Sequence, residues 1–230
     1  MSDLSGILFN VLSGAISILI AIDVHECCHA WAAYQLGDYT TKDRVTLNPL
    51  AHLDPVGTLF MGINLFYGAV FRSSLPLIGW GKPVVYHPHL LRKKGRVGMA
   101  IVAAAGPVAN VVTAVVFALP IRLGVPFTSA SIYLLQLCYT IAMTNVVIAA
   151  FNLIPIPPLD GYSVLLWIVN SIRAGWAYRL YVSLSRLESY GFQALMLLIM
   201  ADWILPFSIL SIAMRPMIWV AGLIVFGARW

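Results

Sequence analysis

Charge is what this chain has least of. Only 10% of its 230 residues are Asp, Glu, Lys or Arg, against about 25% in an ordinary soluble domain, too few to clothe a water-facing surface. Cysteine is nearly as scarce: of Cys27, Cys28 and Cys138, the first two are neighbours that would bond only with strain, which excludes a disulfide framework. There is no internal repeat, no low-complexity tract and no stretch that reads as a separate soluble domain. The first apolar run has no basic leader and no small-residue cleavage site, so it is not read as a cleavable signal. The net charge of +5 does not point to nucleic acid, because the basic residues sit in short loops between apolar runs. Lipid head groups and the positive-inside bias account for them there.

Apolar side chains are what remain: 60% of the residues are hydrophobic and the mean hydropathy is +0.87. Runs at 4–22, 97–120, 130–151, 189–205 and 207–228 each approach the ~17–25 residues of a membrane-spanning helix. The expected fold is an all-α integral membrane protein forming one domain over 1–230, with about five spanning helices. The first helix is predicted to run from Leu4 to Leu36, since nothing interrupts it before Gly37. Residues 57–71 are apolar but short and contain Gly57, Gly62, Asn64 and Gly68. A re-entrant segment near 57–85 is expected there. Residues 171–188 read as an amphipathic, basic helix.

Into the first apolar run is set "HECCH", residues 25–29. His25 and His29 are four apart, so a helix places both imidazoles on one face within reach of one ion. Glu26 lies ~100° round from His25, near such an ion without having to bind it. That is the arrangement of a zinc hydrolase: two nitrogen ligands and a carboxylate able to take a proton from water at the metal. With five histidines and two glutamates in the chain, chance would place the motif in roughly one such sequence in a thousand. Cys27 and Cys28 point to other sides of the helix and read as small packing residues.

A hydrolytic zinc site usually takes three protein ligands. Asp23, His52, Asp54, His87, His89, Asp160, Glu188 and Asp202 are the candidates. Asp160 stands out because it follows "NLIPIPPL", where the prolines end regular helix at a depth that must keep freed backbone groups away from lipid. Gly161 beside it permits close backbone approach, although Asp160 could also serve as a helix N-cap. Turn chemistry explains Asp54 and leaves His52 open to a functional or a structural role. His87 and His89, flanking Pro88, read as structural or solvated.

Taken in order, HECCH, "NPLAHLDPVGTL", "GWGKPV", "GPVAN" and "NLIPIPPLDG" make the chain resemble the site-2 protease family of intramembrane zinc metalloproteases, over roughly residues 20–200. It looks like the compact bacterial or archaeal branch without an appended regulatory domain. The resemblance implies that His25, His29 and Asp160 hold one Zn2+, that Glu26 is the general base, and that Asn152 helps to place the substrate backbone. It implies transmembrane proteins as substrates, cut within or near their helices in regulated intramembrane proteolysis. Two other classes remain open from the residues: a membrane metal-ion transporter using the same His/Glu/Asp cluster, and a scaffold that merely retains the ligands.

Topology constrains the reading. HECCH and Asp160 must reach one depth from one side, which fails if 57–71 crosses fully and holds if it turns back. Turning back puts twelve basic residues on one side and Arg122 alone on the other, whereas a crossing gives ten and three. The positive-inside rule prefers the first. The expectation is an outside N-terminus, an inside C-terminus and a site opening toward the cytoplasm of the cell membrane.

Overall fold

The computed structural model describes residues 4–71, 81–92, 96–126, 128 and 131–227. Within them the helices are α1 (Leu4–Gln35), α2 (Pro49–His52), α3 (Pro55–Phe71), α4 (Arg96–Arg122), α5 (Ile132–Asn152), α6 (Asp160–Ser171), α7 (Gly175–Leu187), α8 (Gly191–Ile204) and α9 (Ile209–Phe226). The all-α expectation holds. Four of them, α1, α4, α5 and α9, are long and apolar enough to cross a membrane.

The outward faces are built for hydrocarbon. Leu4, Leu8, Leu12 and Ile16 of α1 are exposed at four-residue spacing, as are Val108, Val112 and Val116 of α4, so one stripe of each helix meets lipid. Their other faces pack closely through small side chains. Ala114 and Ala118 of α4, Ala142 and Val146 of α5, and Ala221, Val225 and Phe226 of α9 form one buried cluster. Near the other end, Ala32 and Ala33 of α1 pack with Val102 of α4 and with Leu91.

Contacts between helix ends fix the topology. Phe9 stacks edge-on against Tyr133 with ring centres 5.1 Å apart, which puts the start of α1 beside the start of α5. Arg122, the last residue of α4, donates from Nη1 to Ile224 O at 3.0 Å, so α9 finishes at that same end of the bundle. The end of α1, the start of α4 and the end of α5 lie at the opposite end. The expected fifth span at 189–205 is a 14-residue helix, α8, about 21 Å long against a hydrocarbon core of ~30 Å. It starts close to Pro157 and Pro158 and hands the chain to α9 without a crossing. With that crossing removed, the parity of the chain changes. The end of α9 comes out on the side of the N-terminus, which corrects the expectation of termini on opposite sides.

Residues 55–71 form one helix, α3, lying along α1 near Ile18, Ile22 and Met61. Residues 72–80, where the expected re-entrant segment would turn, lie outside the described residues. Beyond them residues 81–87 form an irregular segment. Gly81 bridges antiparallel to Leu53, and Lys82 N donates to His52 O at 2.7 Å. Asp38, fully buried just past α1, ties this segment down by accepting from the amides of Thr40 and His87. Burial alone would raise the Asp38 carboxyl pKa, but hydrogen bonds from Thr40 and His87 outweigh it and hold the group below its ordinary range.

Candidate metal centre

The unbroken helix over residues 25–29 sets both histidine side chains of HECCH against α4. Their docking site is Gly106, followed by Pro107, which has no amide hydrogen to donate inside the helix. A Cβ on Gly106 would lie 2.7 Å from Cε1 of His25 and of His29, and closer still to His29 Nε2, so only a residue without a side chain leaves room for the rings. The third group arrives from the far side. The last turn of α5 and the proline-rich stretch after it reverse the chain, and Asp160 starts α6. A Cβ on Gly161 would collide with the carbonyl of Leu153, which is why this reversal needs glycine beside the aspartate.

The three side chains converge. His25 Nε2 and His29 Nε2 are 2.9 Å apart, and Asp160 Oδ2 lies 3.2 Å from each. Both imidazoles are oriented from behind: His25 Nδ1 faces Asn110 Oδ1 at 2.6 Å, and His29 Nδ1 faces Val102 O at 2.7 Å. Those partners are acceptors only, so each Nδ1 carries a proton, and in the corresponding neutral tautomer Nε2 presents a bare lone pair. Two such lone pairs and a buried carboxylate oxygen with no donor aimed at it therefore face one another, an arrangement that repels unless a cation sits among them. The separations are close to the ~3.3 Å edge of a tetrahedron with ~2.0 Å bonds to nitrogen and oxygen. The donor set, two imidazoles and one carboxylate, suits a borderline divalent ion such as zinc. Second-sphere acceptors on the remote nitrogens are the usual partners of metal-binding histidines.

Glu26 is half-buried beside this group and accepts from Val84 N at 3.0 Å through Oε2, so segment 81–87 pins its carboxylate. Asn152, the last residue of α5, donates from Nδ2 to Ile148 O at 3.0 Å. It is not brought onto the three converging atoms. His52 is fully buried, with Nε2 3.0 Å from Thr46 O and 3.6 Å from Asp23 Oδ1, and stays apart from the cluster. Asp54 accepts from Gly57 N at 2.8 Å at the start of α3, the turn role expected of it. His87 is half-exposed near Asp38, with its ring 5.6 Å from that of His89. Glu188 pairs with Arg96 at 2.8 Å, and Asp202 accepts from Ser208 and from the amide of Leu210. All three cysteines are free thiols. Among the described residues, His25, His29 and Asp160 alone form a group able to hold a metal.

Sequence reading passed over two residues. Asn110 lies inside the quoted "GPVAN" and Asn145 inside an apolar run, and both are fully buried against the site. The available signal was a primary amide within a spanning helix, where polar groups are costly and need partners.

The chain is similar to known proteins over most of its length. Residues 13–125 and 118–197 match Peptidase family M50. The protein named "Putative zinc metalloprotease YwhC" from Bacillus subtilis is 34% identical over 185 residues, covering 77% of this chain and 75% of that protein. "Putative zinc metalloprotease Rip2" from Mycolicibacterium smegmatis is 29% identical over 162 residues, and that from Mycobacterium tuberculosis 28% over 163. The chain spans 57% and 58% of those two Rip2 proteins. No solved structure matches. A match that runs through HECCH, the α4 motif and the segment around Asp160 places this chain in Peptidase family M50, the site-2 proteases.

Proposed function

We propose that this protein is an intramembrane zinc endopeptidase that hydrolyses peptide bonds within or near the transmembrane helices of other membrane proteins. The observation that carries the reading is the meeting of His25, His29 and Asp160 ligand atoms within 3.2 Å of one another inside a bundle of lipid-facing helices. His25, His29 and Asp160 hold the Zn2+, and Glu26 is the general base. Zinc in such a site supplies Lewis acidity toward a carbonyl and lowers the pKa of water there to about 7.

The chain's own groups do the remaining work. Val84 N fixes one oxygen of the Glu26 carboxylate, and the other is left to take a proton from water and deliver it to the departing amine. The histidine and aspartate side chains stay fixed by Asn110, Val102 and the α5–α6 reversal, so the site needs no rearrangement to receive substrate. The helical substrate must be unwound first, because its hydrogen bonding hides the scissile carbonyl. Exposing polar backbone in hydrocarbon costs several kcal/mol per group, so helices with weak, easily frayed segments are the favoured substrates. Residues 81–87 lie beside Glu26 through the Val84 amide and form one wall along which an unwound strand can dock. Asn152, near the proline stretch that leads to Asp160, helps to place the substrate backbone.

The orientation follows from charge. Lys42, Arg44, Lys82, Arg92 and Arg96 lie at the end of the bundle nearest the histidines, and Arg122 at the other. The positive-inside rule puts that first end, and the opening of the site, in the cytoplasm. The test is co-expression of a single-span membrane substrate with wild type and Glu26→Gln. The wild type yields a cleavage product. Glu26→Gln yields none while its zinc content stays unchanged. Equal product from both would sink the proposal.

A further inference from the structure

Asn110 faces His25, but what turns its oxygen rather than its NH2 to the ring, and what Asn145 does beside it, are still to be explained; both are fully buried where α1, α4 and α5 meet. A primary amide at such a depth must satisfy every polar group internally, and the way these do so has a direction. Asn145 Nδ2 donates to Ile141 O at 2.9 Å, which turns the Asn145 oxygen toward α4. Asn110 Nδ2 spends its two hydrogens on that oxygen, at 2.8 Å, and on Ala21 O, at 2.9 Å. Only the Asn110 oxygen is then left for His25 Nδ1. Reversing either amide would oppose carbonyl oxygens to one another, so the chain of bonds runs one way.

The two histidines differ in what they need. His29 leans on a backbone carbonyl, Val102 O, which cannot offer a hydrogen under any rotation. His25 leans on a side-chain amide, which, turned over, would present its NH2 and call for the other ring tautomer. Something must hold that amide. We infer that Asn145 and Asn110 are positioning residues, a hydrogen-bond relay from α5 through α4 to α1 that keeps His25 protonated at Nδ1 and its Nε2 lone pair turned toward His29 and Asp160. This rests on the reading of His25 as a metal ligand. The competing explanation is that the amides only join helices, as polar side chains do in many membrane bundles.

Substitutions at Asn110 separate the two. Aspartate still accepts from His25 Nδ1, whereas leucine cannot; for packing alone, the buried carboxylate is the harsher change. The experiment uses full-length protein in detergent, with zinc affinity measured by chelator competition and the His25 tautomer read from 15N chemical shifts of the metal-free protein. Asn110→Leu is expected to weaken zinc binding by about 10–100-fold and to move the His25 proton from Nδ1 to Nε2. Asn110→Asp keeps the wild-type tautomer and stays within about threefold of wild-type affinity. Asn145→Leu, which leaves Asn110 partly held by Ala21 O, gives a mixed tautomer population and a smaller loss. Asn110→Asp binding as weakly as Asn110→Leu, or an unmoved tautomer in Asn145→Leu, overturns the relay. Should Asn110→Asp fail to fold, the tautomer in Asn145→Leu decides alone. His25→Ala keeps the two levels apart: unchanged zinc affinity in that variant removes the ligand reading itself. Loss of zinc there with full affinity in Asn110→Leu removes only the relay.

Discussion

Gly106→Ala sets two physical effects of opposite sign against each other. In a helix interior the exchange normally stabilises by about 0.5–1 kcal/mol, because alanine loses less backbone freedom than glycine. Here the added methyl would stand 2.7 Å from Cε1 of both histidines, roughly 1 Å inside a comfortable carbon–carbon contact. The rings cannot step back cheaply, since Asn110 and Val102 hold them by 2.6 and 2.7 Å hydrogen bonds. Overpacking of this kind costs about 1–3 kcal/mol, which outweighs the propensity gain. Metal coordination tolerates only about ±0.2 Å, so displaced rings should also lose zinc, by at least tenfold in affinity. The assays are chelator competition and thermal melting with and without zinc. Wild type gains stability from the metal, whereas Gly106→Ala melts lower in zinc and gains little from it. A variant that binds zinc like wild type and melts higher would show that the rings have slack, and the argument for a tightly built cradle would be wrong.

Two further outcomes follow from the architecture. Labels placed before Leu4 and after Phe226 should react from the same face of the membrane, and a label at 40–50 from the opposite face; termini reacting from opposite faces would refute the four-span topology. Because the folded pKa of Asp38 lies below the ordinary 3.8, its contribution is complete above that value and is lost as pH falls through the lower folded pKa. Asp38→Asn should therefore destabilise the protein by about 1–3 kcal/mol at neutral pH, with the gap to wild type closing in acid melts as the pH falls below 3.8 through the lower folded pKa; a gap as large in acid as at neutral pH would contradict this.

The convergence of the proposed ligands was legible because helical spacing is a local property. His25 and His29 share a face by arithmetic alone, and Asp160 betrayed itself by the prolines before it and the glycine after. The supporting shell was harder to see. Nothing local distinguishes Asn110 from any other polar residue in an apolar run; its meaning comes from a histidine 85 positions earlier and an amide 35 positions later. The count of spans failed for a different reason. Residues 189–205 are apolar enough, but the helix starts only at Gly191 and stops at Ile204 before Leu205 and Pro206. A hydropathy window does not register those boundaries, which leave a helix of 14 residues, too short to reach the far side. Asp54 as a turn residue was correctly anticipated from Asp-Pro chemistry, whereas the deep burial of His52 depended on how the 81–87 segment folds over it.

The first helix is 32 residues long, about 48 Å, some 18 Å more than the fatty layer it traverses. Stood upright it would overhang into the aqueous phase; leaning, it would hide part of that excess. The metal-seeking rings sit six to ten residues from its end, about 9–15 Å, nearer that end of the helix than its middle. On the proposed function, rings at that end of the helix would be wetted by a shallow well sunk from the head-group zone, and a client protein would offer its vulnerable bond near that shoreline.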